Sequence, residues 1–330
     1  YLVAGKKLSP GEVILREKPI AVGPAVFNDN DLCSGCLRVI PKIPLVDWKV
    51  VCKNCGIAVF CSASCEERKN YHTIEECKVF KSNESLNELN QNELRAIIFP
   101  LRLWLLKKSN SDLWEKILRL EAHLEERKGS AVWKERQESV VDVLKKLKLI
   151  NEEDEAMIQR ICGIVDVNSF ELRSPGTLDT SPLRGLYPEA ALMSHDCRGN
   201  THLTVDDDFN LTVYASLPIE HNQPILFNYT SSLLGSLERR AFLREGKYFD
   251  CQCEMCKSPE ELGAHLSSIN CPRCRKGFLK VNDGTLKNPF IRQKIWDCGA
   301  CGHKYSGRLV RTTIDLAQWK IIQADQTNSK

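Results

Sequence analysis

Sixteen cysteines in 330 residues constrain this chain more than any other feature, because most of them come in pairs two residues apart. Cys33/Cys36, Cys52/Cys55, Cys271/Cys274 and Cys298/Cys301 are Cys-x-x-Cys pairs, and Cys253/Cys256 is a fifth within the run Cys251-Gln252-Cys253-Glu254-Met255-Cys256. Two cysteines so spaced grip one ion from a tight turn, and zinc takes four such ligands in a tetrahedron. A redox Cys-x-x-Cys normally occurs singly, near a βαβ pattern. A disulfide framework belongs to an oxidising compartment, and the opening YLVAGKKLSPGEVIL carries lysines where a signal peptide needs an apolar stretch. The chain therefore reads as intracellular, cytoplasmic or nuclear, with its thiols committed to metal. The most apolar segment, IIFPLRLWLL, is broken by Pro100 and Arg102, so no membrane span is expected. Hydrophobic content of 42% and charged content of 27% are ordinary for a globular protein, and the net charge of +3 argues neither for nor against nucleic acid.

Cys33, Cys36, Cys52, Cys55, Cys61, Cys65, His72 and Cys77 make a first block of seven thiols and one imidazole, the number that two tetrahedral zincs need. A segment of about 45 residues with few large apolar side chains can barely hold a core without metal. Cys61 and Cys65 lie four apart and share one face if helical. The interleaved order suggests a cross-brace, with Cys33, Cys36, Cys61 and Cys65 on one ion and Cys52, Cys55, His72 and Cys77 on the other. The last two pairs, Cys271/Cys274 and Cys298/Cys301, read as a zinc ribbon with a 23-residue connection.

Between these blocks the pattern changes twice. Residues 1–30 read as short strands, YLVA, EVILRE and PIAVGPAVF, punctuated by Gly and Pro. From about 85 to 166 apolar residues recur at three- and four-residue intervals, in NELRAIIFPLRLWLLKK, SDLWEKILRLEAHLEER, VWKERQESVVDVLKKLKLI and EEDEAMIQRICGIV. Ser111-Asp112 and Asn151 are candidate caps, and Cys162 is a core thiol. After the polar segment RSPGTLDTSPLRG, THLTVDDDFNLTVYASL reads as a hairpin and PILFNYT as a strand. GSLERRAFLREGKYF is a short helix leading into Cys251, and RTTIDLAQWKIIQADQ an amphipathic one.

The first block resembles a MYND zinc finger, a module associated with short, often proline-containing peptides. The flanking LVAGKKLSPGEVILREKPIAV resembles the opening of a SET domain, LMSHDCRGNTHLTV with VYASLPIEHNQPILFNYT its closing half, and CQCEMC the cysteine cluster after it. A MYND finger inserted in a split SET domain resembles the SMYD family, arthropod members in particular, from residue 1 to about 256. The resemblance implies an α+β fold. It is divided as the first part of SET (1–30), the finger (31–80), a helical insert (81–180), core SET (181–250), post-SET (251–260), and the ribbon with the start of a C-terminal helical region (261–330). It also implies a third ligand set, Cys197 with Cys251, Cys253 and Cys256, bringing the zincs to four. The ribbon departs from the family pattern.

The implied activity is transfer of a methyl group from S-adenosylmethionine to a lysine of a protein or peptide substrate. Tyr229 matches a tyrosine that orients the amine, and Asn168, Ser194, His195, Tyr248 and Phe249 match cofactor-contacting positions. Three departures stand out. Ser194-His195 replaces Asn-His, Asn222-Gln223-Pro224 replaces Gly-Glu-Glu, and Lys247 fills a tyrosine position with Tyr248 displaced by one. The Gly-rich segment expected just before Tyr1 lies outside this chain, which reads as part of a longer protein. The alternative is an interaction protein or transcriptional co-regulator with a partly degenerate SET fold, recruiting partners through the finger. The few charges in KNYH and RKN do not demand nucleic acid.

Overall fold

A computed structural model describes residues 1–25, 31–41, 49–68, 70–176, 180–258, 260–281 and 295–328. The chain divides into two compact units, Tyr1–Ser194 with Asn200–Leu226, and His195–Gly199 with Phe227–Lys330. The architecture is α+β, with small sheets, a helical block and several cysteine clusters.

In the first unit the sheets join the start of the chain to its second half. Strand Val13–Glu17 pairs with Leu211–Ala215, which pairs with Thr201–Val205, all antiparallel. Strand Ala21–Pro24 pairs with Pro182–Leu186, which pairs with Phe170–Arg173. Single bridges link Val3 to Pro224 and Leu8 to Ile219, so YLVA contributes one bridge rather than a strand. The finger and helices between Leu32 and Asn168 are thus inserted between partners of one sheet system. Leu211, Val213 and Ala215 alternate inward along their strand, as a half-buried strand requires. Gly23 lies so close to helix Gln91–Ser109 that a Cβ there would stand 2.4 Å from Phe99 Cβ, so only glycine fits. The expected hairpin turns at 206–210. The Asp206 carboxylate accepts from the amides of Asp208 and Asn210, and Phe209 is buried with φ 60°.

The helical block has a core of Ile97, Leu101, Leu103, Ile117, Leu144, Ile158, Ile161 and Ile164, together with Cys162. Burial pushes the Cys162 thiol up to about 12, which leaves it inert. Asn110, not Ser111 or Asp112, caps helix Ser111–Leu118 by accepting from the Leu113 amide. Asn151 forms a capping box with Asp154 ahead of helix Glu155–Asn168. The expected helix over SDLWEKILRLEAHLEER is broken. The Glu121 carboxylate accepts from the amides of Ala122 and His123, His123 turns left-handed, and only Leu124–Arg127 resumes. Ala131–Arg136 continues through a π turn, Gln137–Val141, into Asp142–Lys146.

In the second unit, helix Ser236–Lys247 leads to the single turn Glu254–Lys257. A four-stranded antiparallel sheet follows in the order Ile269–Asn270, Phe278–Val281, Ile295–Cys298, Lys304–Ser306. Most of the expected ribbon connection, 282–294, lies outside the described residues. Helix Gly307–Asn328 buries Val310 against Leu279 and Trp296. Among the described residues no helix is long and apolar enough to cross a membrane.

Candidate metal centres and active site

One turn recurs at four of the Cys-x-x-Cys pairs. The residue after the second cysteine is left-handed in each: Leu37 (φ 58°), Gly56 (71°), Arg275 (54°) and Gly302 (67°). Its amide donates to the carbonyl of the first cysteine, at 2.7 Å for Leu37 to Cys33, 2.9 Å for Gly56 to Cys52, 2.9 Å for Arg275 to Cys271 and 2.8 Å for Gly302 to Cys298. Two of the four use glycine, the residue that takes this conformation without steric cost. Amides also point at sulfur: Gly35 and Cys61 donate to Cys33 Sγ at 3.3 Å, and Cys301 to Cys298 Sγ at 3.4 Å. Such donors favour the thiolate, the form that binds metal.

The turns and the chain between them bring sixteen residues into four sets. These are Cys33, Cys36, Cys61 and Cys65; Cys52, Cys55, His72 and Cys77; Cys197, Cys251, Cys253 and Cys256; and Cys271, Cys274, Cys298 and Cys301. Within each set the ligand atoms lie within 4.8 Å of one another, and each set can hold one metal ion. The sulfur separations are 3.8 Å for Cys36–Cys61, 3.7 Å for Cys52–Cys77, 3.8 Å for Cys197–Cys251 and 3.6 Å for Cys274–Cys298. Thiolates bonded to a tetrahedral zinc at about 2.3 Å stand about 3.8 Å apart, whereas disulfide sulfurs stand about 2.05 Å apart. The residues fit zinc and exclude disulfides. Ionisation within the sets points the same way. The Cys36 thiol holds Cys33 down to about 5, while the same hydrogen bond and burial push Cys36 up. Cys197 and Cys256 lower Cys251, and Cys256 is raised in turn. Clustered thiols cannot all ionise by themselves; a divalent ion at their centre removes that conflict.

The finger has a second layer that sequence reasoning missed. His72 Nε2 stands 3.5 Å from Cys55 Sγ, and its Nδ1 bonds Glu76 Oε1 at 2.9 Å. Arg102 donates to Glu76 through Nε at 2.6 Å and Nη2 at 3.1 Å, and to the Val22 carbonyl through Nη1 at 2.5 Å. His72, Glu76 and Arg102 are all buried. Burial opposes the Glu76 charge, but Arg102 and His72 outweigh it and hold the carboxyl below its usual range. A carboxylate behind a ligating imidazole fixes its tautomer and orientation. The available signal was the four-residue spacing of His72 and Glu76, which puts both on one side of the turn entering helix Ile74–Ser82.

In the second unit the Cys197 set is built into an aromatic cluster. The His195 ring lies 5.1 Å from the Tyr229 ring and 5.7 Å from the Phe249 ring. His195 Nδ1 accepts from the Tyr229 amide at 3.1 Å, so the ring proton sits on Nε2, 3.4 Å from Cys197 Sγ. Asp250 accepts from Arg244 at 2.8 Å and so ties helix Ser236–Lys247 to the segment entering Cys251. Burial raises the Tyr229 hydroxyl to about 12, so it keeps its proton throughout the neutral range. Tyr248 is left-handed (φ 62°) and caps the helix, and it is Lys247 whose ammonium lies over the Tyr229 ring, 5.7 Å from its centroid. In the first unit Asn168 commits Nδ2 to the carbonyls of Glu121 (2.7 Å) and Ile164 (2.9 Å), which leaves Oδ1 as its acceptor. Ser194, half-buried, sits at the start of the two-residue strand Ser194–His195.

Across curated proteins the chain is 27% identical over 307 residues to the SET domain-containing protein SmydA-8, isoform B, of Drosophila melanogaster, covering 91% of this chain and 64% of that one. Over most of its length the chain is similar to proteins of the SET and MYND domain family. Another relative, Histone-lysine N-methyltransferase SMYD3 of Mus musculus, is 24% identical over 268 residues, covering 77% of this chain and 58% of its own. Histone-lysine N-methyltransferase Smyd1 of Mus musculus is 26% identical over 298 residues, with coverages of 84% and 58%. The chain spans about three-fifths of the length of these SET and MYND relatives. No protein-family model matches it.

Proposed function

We propose that this chain is an S-adenosylmethionine-dependent protein-lysine N-methyltransferase holding four structural zincs. The observation that carries the reading is the tilted packing of His195 against Tyr229 and Phe249, linked through His195 to the Cys197 set. The relatives named histone-lysine N-methyltransferases support the same reaction class.

When bound, S-adenosylmethionine supplies an electrophilic methyl group on a sulfonium. The residues of the second unit fit such a cofactor in kind: the Phe249 and His195 rings offer apolar faces. Tyr229 holds the target. Its hydroxyl stays protonated and hydrogen-bonds the lysine amine, while its ring walls the channel. The amine must be neutral to attack, and desolvation beside the buried rings lowers its pKa toward that state. Alignment of amine and methyl group accounts for much of the acceleration in a reaction of this kind. The zinc on Cys197, Cys251, Cys253 and Cys256 has no chemical part; it pins the Phe249 segment so that the rings keep their spacing.

A second reading, an interaction protein recruiting partners through the finger, is favoured by Lys247. Its ammonium over Tyr229 occupies the place where a substrate cation would be stabilised. Two unit charges about 4 Å apart interact by about 4 kcal/mol at an effective dielectric near 20, enough to suppress binding of a second cation. Calorimetric titration of the zinc-loaded chain with S-adenosylmethionine separates the readings. The methyltransferase reading expects one-to-one binding that is lost in Phe249→Ala. No binding by the wild type would overturn it in favour of the interaction protein.

A further inference from the structure

The net charge of +3 conceals a strong segregation. The described part of the ribbon, residues 271–281 and 295–311, carries seven lysines and arginines against one aspartate, a local net charge of +6, so the rest of the chain nets −3. From this patch we infer that the ribbon is a nucleic-acid-binding surface that takes the polyphosphate backbone. The inference is independent of the methyltransferase reading.

The placement of the charges supports it. Arg273, Arg275, Lys276, Lys304 and Arg308 are exposed, and none of them pairs with a carboxylate among the described residues. Lys280 pairs with Glu260 and Arg311 with Asp315, so the unneutralised cations are those five. Three of them lie on the first knuckle, and Arg273 Nη1 donates to His303 Nδ1 at 2.9 Å, so the first knuckle's cations sit beside the second knuckle. On the sheet, the register sets Lys280 beside Asp297 and Asp297 beside Lys304, so the one acidic residue is flanked by lysines on both neighbouring strands. Phe278 and Ile295, 37% and 51% exposed, share that outer face by strand alternation, and Phe278 stacks on His265 at 4.6 Å. Cations interleaved with an exposed aromatic suit a backbone and its bases.

Arg275 adds a further indication. It occupies the left-handed turn position that Gly56 and Gly302 fill in two of the other knuckles. A side chain there is in a conformation that favours glycine. The third such position, Leu37, is buried, whereas Arg275 puts its charge in solvent. An acidic protein segment would also be attracted to the patch, but it brings no bases to stack on the exposed Phe278.

The test is fluorescence anisotropy of the zinc-loaded full chain with a labelled 20-base-pair duplex, a 20-nucleotide single strand, and a polyglutamate peptide of matched charge, each over a salt series. With about five phosphate contacts, log affinity should fall against log salt with a slope of about −4.5 on duplex and about −3.5 on single strand. The variant Arg273→Gln, Arg275→Gln, Lys276→Gln, Lys304→Gln should weaken binding on the order of 10²-fold at low salt and flatten the slope by about 3 to 4. Should that variant lose ribbon zinc, Lys276→Gln alone should flatten the slope by about 1. Lys146→Gln with Lys148→Gln, on the helical block, should change nothing. No binding of either nucleic acid at low salt, a slope unmoved by the ribbon variants, or polyglutamate bound as tightly as DNA would each overturn the inference.

Discussion

The finger and the Cys197 set both gather thiols in fours, with His72 replacing one in the finger, but differ in what stands behind them. In the finger, all eight ligands lie within Cys33–Cys77, and the layer behind them runs through Glu76 to Arg102 and the Val22 carbonyl, which belong to the scaffold. In the other set one ligand is 54 residues from the next, and the layer behind it runs from Cys197 through His195 to the Tyr229 amide. A buried ion pair of the first kind serves stability. A link of the second kind puts a metal ligand two bonded contacts from the proposed substrate-holding tyrosine. Losing metal from the finger should therefore cost folding free energy, and losing it from the Cys197 set should cost function first.

The largest expected effect separates these two outcomes. Cys197→Ser and Cys52→Ser should each remove one zinc by elemental analysis. Structural zinc in finger-like sites contributes on the order of 10 kcal/mol, so neither site survives at ordinary metal concentration. Calorimetry should find S-adenosylmethionine affinity abolished in Cys197→Ser and retained in Cys52→Ser. Equal loss in both would erase the contrast.

Next in size is the buried carboxylate. Glu76→Gln leaves the Arg102 guanidinium buried opposite a neutral amide, and breaking one side of such a pair costs about 3–5 kcal/mol. Thermal unfolding should show a large drop, with finger zinc affinity lower by about 10- to 100-fold. Cofactor affinity should be unchanged; a matching fall there would mean the finger also supports the aromatic site.

Smaller still is the effect of the cation over Tyr229. Lys247→Tyr removes the competing charge and restores an aromatic wall, so cofactor affinity and methyl transfer should rise about tenfold, equivalent to about 1.4 kcal/mol. An unchanged affinity would place Lys247 away from the bound cofactor.

The sequence made some of this legible and hid the rest for identifiable reasons. The finger and ribbon sets follow from ligand number and spacing, because a tetrahedron of sulfurs imposes both. Cys197 carries no spacing signal, and only the resemblance pointed to it. Arg102 reads in sequence as an interruption of an apolar run, yet it is buried as the partner of Glu76, a contact between residues 26 apart that no local pattern encodes. The break at Glu121–His123 is hidden because the apolar periodicity runs through it while a single side chain takes two amides out of the helix. PILFNYT has strand composition but forms a strand only at Leu226–Phe227, with a single bridge at Pro224, since composition does not say where a partner strand ends. The charge segregation into the ribbon is legible only once residues 271–311 are counted apart from the whole.

Transfer of a labelled methyl group from S-adenosylmethionine to lysines on a protein array, by the zinc-loaded chain and by Tyr229→Phe, tests the central claim most directly. The account expects the wild type to label lysine side chains. Tyr229→Phe should label them about 10²-fold more slowly, the scale of losing one positioned hydrogen bond in a water-excluded site. The wild-type pH profile should rise with lysine deprotonation and show no fall from Tyr229 below about 11, since burial holds that hydroxyl near 12. Wild-type labelling untouched by Tyr229→Phe, or cofactor bound with no lysine labelled by either protein, would contradict it.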